Sequence, residues 1–115
     1  MQINSINIPD SMVNRGGYVF TRPVVLGYNG LRMPIIADGG STLEWTFDEL
    51  DDDEWEWWTQ TILGGDDAAA FTQAQLYDDD RALTTFGNCI VYKPVREKFL
   101  HGKHSNVKVV IAGIE

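Results

Sequence analysis

A mainly β fold of the α+β kind, a β-sandwich or barrel with one flanking α-helix over about residues 52–63, is what this sequence predicts. Ser41 to Phe47 alternates apolar Leu43, Trp45 and Phe47 with polar Thr42, Glu44 and Thr46, the two-residue period of a half-buried strand. Asp51 to Gly65 contains a helix start, an apolar stripe at helical spacing and a stop. Short apolar runs punctuated by Gly, Pro, Asn and Asp fill the rest, a pattern that suits sheets closed against one another.

Along the chain, Gln2 to Ile8, Tyr18 to Leu26 and Leu31 to Ile36 are expected as strands, with Gly27-Tyr28-Asn29-Gly30 as the hairpin turn joining the last two. Pro23 and Pro34 lack an N–H for a ladder and push those segments toward sheet edges. The helix entrance is well marked: Asp51 as N-cap, Glu54 as the reciprocal third residue, Leu50 positioned to staple against Trp55, and Asp52 and Asp53 in the first turn where the dipole favours acid. Gly64-Gly65 ends it. On a helical wheel Trp55, Trp58, Thr59, Ile62 and Leu63 share the packing face, while Trp57 falls outward with Glu56, Gln60 and Thr61. Phe71 to Tyr77 and Ala82 to Lys93 flank the turn Asp78-Asp79-Asp80-Arg81 as a second hairpin. Pro94 to Ser105 reads as a basic, mobile loop, and Asn106 to Ile114 as a last strand with Val107, Val109 and Ile111 turned inward.

The length of 115 residues fits one domain, 1–115. Four tryptophans, four tyrosines and five phenylalanines supply either an aromatic core or an adhesive surface, and spacing decides which. No leader and no membrane span is expected, since no stretch approaches about 18 consecutive apolar residues. Cys89 is the only cysteine, which excludes an intrachain disulfide, and its apolar neighbours make it a buried small hydrophobe.

The net charge of −8 disfavours specific nucleic-acid binding. The charge is also segregated. Between Met33 and Asp80 there is no Lys or Arg, whereas Arg81, Lys93, Arg96, Lys98, Lys103 and Lys108 follow with only Glu97 and Glu115 against them. Such polarity suits head-to-tail contact between copies.

Chemical motifs are weak. His101 and His104 are three apart, but Lys103 repels a cation and only Glu97 offers a carboxylate in that loop, so no metal or cofactor is expected. Asp51 to Glu54 belong to a helix start and Asp78 to Asp80 to a turn, leaving no carboxylate pair for acid–base work. No serine sits in a nucleophile elbow. The expectation is a protein that is not an enzyme and that works by assembly. Its candidate interface residues are Trp57, Tyr28, Arg96, Lys98, Phe99 and Lys103.

Arg22-Pro23, Leu26-Gly27-Tyr28, the run Leu43-Glu44-Trp45-Thr46-Phe47, the Trp-rich helix Glu54 to Leu63, Val91-Tyr92-Lys93-Pro94 and the terminal strand together resemble small virion proteins of tailed bacteriophages, of the tail-tube type. The resemblance implies hexameric rings whose sheets join into an inner barrel. It also implies a loop reaching an adjacent ring, for which Pro94 to Ser105 is the candidate, other virion proteins as partners, and an acidic lumen through which double-stranded DNA passes without specific binding. A capsid decoration protein, tail terminator or head-to-tail connector shares these features. The reading from another class is a monomeric β-module that binds carbohydrate or protein through Trp57 and Tyr28.

Overall fold

The computed structural model describes residues 1–13, 15–22, 25–28, 34–36 and 40–115, with 25–28 and 34–36 described as backbone alone. The chain is mainly β, with 54% of residues in strands and 11% helical, arranged as a β-sandwich with one flanking helix.

The strand predicted at 41–47 continues to Asp51, giving β6 (Ser41–Asp51), and pairs antiparallel with β12 (Lys103–Ile114) along nearly the whole length of both. These two form the middle of a larger sheet. β3 (Gly17–Thr21) lies outside β6, and β10 (Cys89–Tyr92) then β7 (Ala68–Phe71) lie outside β12. Beside the other end of β12 runs β11 (Lys98–Leu100). The smaller sheet is ordered β2 (Ile6–Asn7), β1 (Gln2–Ile3), β8 (Ala74–Tyr77), β9 (Leu83–Phe86).

One long hairpin joins the two sheets. Ala68–Tyr77 and Leu83–Tyr92 keep a single register, Tyr77 opposite Leu83 near the turn and Ala68 opposite Tyr92 at the far end. The expected hairpin across Asp78 to Arg81 therefore forms, and it bends between sheets where Thr72-Gln73 faces Gly87-Asn88. At that corner ladder bonds go elsewhere: Gly87 N–H donates to the Glu115 carbonyl at 2.8 Å and Asn4 N–H to that of Gln73 at 2.9 Å.

Tyr18 to Leu26 is not one strand, because β3 belongs to the large sheet whereas β4 (Val25–Tyr28) pairs with β5 (Pro34–Ile36) in a separate two-stranded ribbon. Pro23, which cannot extend a ladder, lies between β3 and β4. Gly27 and Tyr28 sit inside β4, opposite Ile35 and Pro34, and so are not the first half of the turn expected at 27–30; Asn29 and Gly30 lie outside the described residues. Gln2 to Ile8 is likewise two short strands, joined through Asn4 and Ser5 at φ 53° and 64°, both left-handed as a two-residue hairpin demands.

Between the sheets lies the core. Leu43, Trp45 and Phe47 on β6 meet Val107, Val109 and Ile111 on β12, and Ile3, Ala74, Leu76 and Phe86 close it from the smaller sheet. The alternation changes phase near the helix: Phe47 and Leu50, and His104 and Val107, are buried pairs three residues apart. Asn106 makes this possible at φ 50°, a conformation that asparagine tolerates.

Asp51 ends β6 and caps α1 (Asp52–Glu56), accepting from Glu54 N–H at 2.9 Å while the Glu54 carboxylate accepts from Asp51 N–H at 3.3 Å. The capping box is as the sequence predicts, and Gly64 and Gly65, at φ 59° and 88°, form the stop. The second half is π-helical, Trp57–Ile62, with Leu63 N–H reaching back to the Trp58 carbonyl at 3.2 Å. Trp58, Thr59, Ile62 and Leu63 are buried as expected. Trp45 and Trp58 meet edge to face at 6.2 Å. Their indole N–H groups are satisfied by the Arg15 carbonyl at 2.7 Å and the Met12 sulfur at 3.2 Å. Most of the aromatic supply has therefore gone into the core.

Gly16 has φ 74° and lies so close to β6 that an added Cβ would sit 2.1 Å from the Thr46 carbonyl oxygen. Replacing Gly16 with Ala is expected to destabilise the fold by about 2 kcal/mol or more, through positive-φ strain together with this clash. A lowered urea midpoint at unchanged m-value would report it; a midpoint within error of the parent would show that β3 shifts freely.

Candidate assembly surface

The segment read as a mobile loop, Pro94 to Ser105, is a built hairpin. His101 and Gly102 hold φ 53° and 73°, Leu100 pairs with Lys103, and the two-residue turn between them starts β12 three residues earlier than expected. Two left-handed residues in succession give the twist that matches flanking strands, and glycine at the second position removes the steric cost there. Lower down, Val95 and Lys108 exchange backbone hydrogen bonds at 3.0 and 2.8 Å.

What holds this hairpin against the body is a stack around His104, which is buried. Trp55 lies parallel to its imidazole, centroids 4.5 Å apart and planes 3° off, and Phe99 covers it at 4.5 Å and 32°. The guanidinium of Arg96 lies 4.8 Å from the Trp55 ring and 4.9 Å from the Phe99 ring. Each such contact contributes on the order of 0.5–1 kcal/mol at an exposed site. Arg96 Nη1 is 2.7 Å from His104 Nδ1, and His104 Nε2 is 2.8 Å from Asp52 Oδ1. Guanidinium only donates, so in this geometry Nδ1 accepts from Arg96 and Nε2–H donates to Asp52. With both nitrogens engaged, His104 has none left for a metal shared with exposed His101.

Of the six candidate residues, Arg96 and Phe99 therefore meet in one cluster. Lys103 reaches the Glu49 carboxylate of its own chain at 3.6 Å. Lys98 is exposed on β11. Tyr28 lies in β4, its side chain outside those described. Trp57 corrects the wheel: it is half-buried against the core, edge to face with Trp58 at 4.8 Å and 89°. The wider π-helical turn sets successive side chains at a smaller angle, which draws Trp57 toward its neighbour. Sequence reasoning placed Trp55 on the packing face and weighed His104 only as a metal ligand, so it missed their stack, and it missed Val95 and Leu100 altogether; the signal for the hairpin was His101-Gly102 between two runs of strand-forming residues.

Charge segregation along the chain is partly undone in space. The β6–β12 ladder places the acidic middle beside the basic end, and Lys108 bonds Glu44 at 3.4 Å as Lys103 bonds Glu49. Arg15 pairs with Glu54 at 3.0 Å and Arg22 with Asp79 at 2.6 Å. Apart from Arg15–Glu54, whose carboxylate is buried, these are exposed pairs that contribute little to stability, but together they cancel much of the expected polarity.

The cluster Asp78, Asp79, Asp80 is explained by its turn. Asp78 accepts from Ala82 N–H at 3.0 Å, Asp80 N–H at 2.9 Å and the Thr84 hydroxyl at 3.0 Å. A half-open groove of about 720 Å³ runs between this turn and β3. Its charges balance, Arg15 and Arg81 against Asp78 and Asp79, and the Tyr18 hydroxyl in its wall is committed to the Tyr77 carbonyl at 2.6 Å. Burial pushes the Tyr18 phenol well above its ordinary value.

No protein-family model, no curated protein and no solved structure matches the chain. Among the described residues no helix is long and apolar enough to cross a membrane.

The Ala82 N–H, followed by the Thr84 hydroxyl, Asp80 N–H and Arg22, holds the Asp78 carboxyl below the usual carboxylate range, against a smaller opposing effect of burial. A depressed folded value means that its stabilisation is complete above about pH 4, the ordinary range of a free aspartate, and is lost as pH falls through the lower folded value. The Asp78→Asn variant should therefore show a shallower acid dependence of the urea midpoint between pH 5 and pH 2. An unchanged slope would remove Asp78 from the account. Burial pushes the Cys89 thiol up to about 11. Native protein at pH 8 should resist a maleimide that labels it fully in urea.

Proposed function

We propose that this chain is a structural subunit of a bacteriophage particle, a ring-forming protein of the tail-tube type whose hexameric rings surround the DNA conduit. The observation that carries the reading is a hairpin clasped firmly to the body yet left apolar outside. Val95, Phe99 and Leu100 are 68%, 50% and 65% exposed, on and beside a strand with one edge unpaired among the described residues. Exposed apolar side chains grouped with unpaired backbone are a template for another chain, which soluble monomers avoid.

The β4–β5 ribbon gives separate support. Among the described residues it pairs with neither sheet, and its strands, Val25 to Tyr28 and Pro34 to Ile36, are rich in apolar residues. A two-stranded hairpin is marginal in water by itself, so a ribbon of this composition calls for a partner. The charge of −8 suits passage of DNA without adhesion, through repulsion of phosphate. Decoration, terminator and connector proteins would use the same surfaces. A glycan platform on Trp57 loses its footing, since that indole leans on Trp58.

Sedimentation together with negative-stain microscopy tests the proposal. Rings or stacked tubes are expected at high protein concentration, and Val95→Ser with Leu100→Ser should shift the mass toward monomer without lowering the melting temperature. A parent protein that stays strictly monomeric throughout would remove the reading.

A further inference from the structure

We infer that His104 is a proton-operated latch for Arg96: in acid the imidazolium takes over the place of the guanidinium in the hairpin stack, and Arg96 is released to solvent. The inference goes beyond the assembly reading and stands whether or not copies associate.

The hydrogen bonds of the ring carry it. Arg96 Nη1 reaches Nδ1 at 2.7 Å and Asp52 Oδ1 takes Nε2–H at 2.8 Å, so the imidazole is bonded to a cation on one side and an anion on the other. A guanidinium has no acceptor, and an imidazolium has only donors. A proton added at Nδ1 therefore sets two donors and two positive charges against each other at hydrogen-bond distance, while the bond to Asp52 becomes an ion pair and strengthens. One partner is repelled and the other is held.

Packing decides which group moves. The imidazole is 2% exposed and lies between Trp55, 3° from parallel, and Phe99. Protonated in that slot, it gains the attraction to both aromatic rings that the guanidinium supplies from 4.8 and 4.9 Å. Arg96 is exposed, and its flexible stem can turn the charged head into water. The ring stays and the guanidinium leaves.

No other charge substitutes for Arg96. From α1 the carboxylate on the ring is Asp52, while Asp53 and Glu56 are exposed and unbonded to it. From β6 the residue opposite His104 is Leu50, and Asp51 is engaged at the helix cap. Lys103 and Ser105 flank His104 on β12 and alternate to the other face, where Lys103 meets Glu49 at 3.6 Å. On the hairpin Glu97 is bonded to Asn106, and Lys98 is exposed. Among the described residues Nδ1 has no partner besides Arg96. Acid thus adds one positive charge to the hairpin and turns a second outward next to exposed Val95, which makes this surface more cationic.

NMR of the dilute protein tests the latch. At neutral pH the Arg96 side-chain signals should be displaced upfield by the two rings that its guanidinium covers. They should return to free-arginine positions as His104 protonates between about pH 8 and about pH 5, the interval that brackets histidine's charge change and ends above the ordinary carboxylate range. His101 is the other histidine of the chain and is exposed in the turn, so His101→Asn should leave the response unchanged. In His104→Gln, checked for folding by circular dichroism, an amide can accept from Arg96 and donate to Asp52 without titrating, and the signals should stay displaced throughout. Asp52→Asn, at an exposed position outside the core, should move the release to lower pH, because the imidazolium loses its anion. Arg96 signals that stay displaced in the parent across the whole interval, that are lost equally in His104→Gln, or that are released in Asp52→Asn at the parent's pH or higher overturn the latch.

Discussion

The antiparallel pairing of β6 with β12 is the constraint on which the rest of this structure depends. It supplies the facing rows of the core, Leu43, Trp45 and Phe47 against Val107, Val109 and Ile111. It also fixes where everything else can be. Because β6 passes at Asp51 directly into the helix and β12 begins at Lys103 directly after the hairpin turn, the ladder delivers helix and hairpin to the same corner. The stack of Trp55, His104, Phe99 and Arg96 follows from that delivery. Its members are scattered from 55 to 104 in the sequence and have no local reason to meet.

The same ladder governs the electrostatics. A chain with acids in its middle and cations near its end looks like a molecule with two opposite faces, yet antiparallel pairing folds one block onto the other. What survives is finer grained: acids before β7, cations around β11, both at edges of the large sheet. Steering between copies on this scale works over about a Debye length, roughly 8 Å at physiological salt, so local complementarity matters more than the overall dipole.

The hairpin illustrates a division of labour between order and exposure. Its inner ring, His104, is buried with both nitrogens engaged, while Val95 and Leu100 remain largely in water. A disordered loop would lose conformational entropy on docking, whereas a strand already held in place avoids most of that cost. In the proposed assembly the β-sandwich would be the rigid mount for the apolar edge at β11.

Local physics wrote several features legibly into the sequence. The alternation through Phe47, the capping box of Asp51 and Glu54, the glycine stop, the hairpin across Asp78 to Arg81 and the burial of Cys89 each depend on neighbours a few residues away, so spacing alone revealed them. Trp57 was misread because a wheel assumes a uniform turn, and the π-helical half departs from it. Pro94 to Ser105 was misread because composition spoke of a loop while two left-handed dihedrals spoke of a turn. Which strands share a sheet, where the long hairpin bends, and which ring covers His104 were decided only by tertiary structure. Those outcomes depend on contacts between residues far apart in the chain, whose favourable energy appears only after the loops between them have closed.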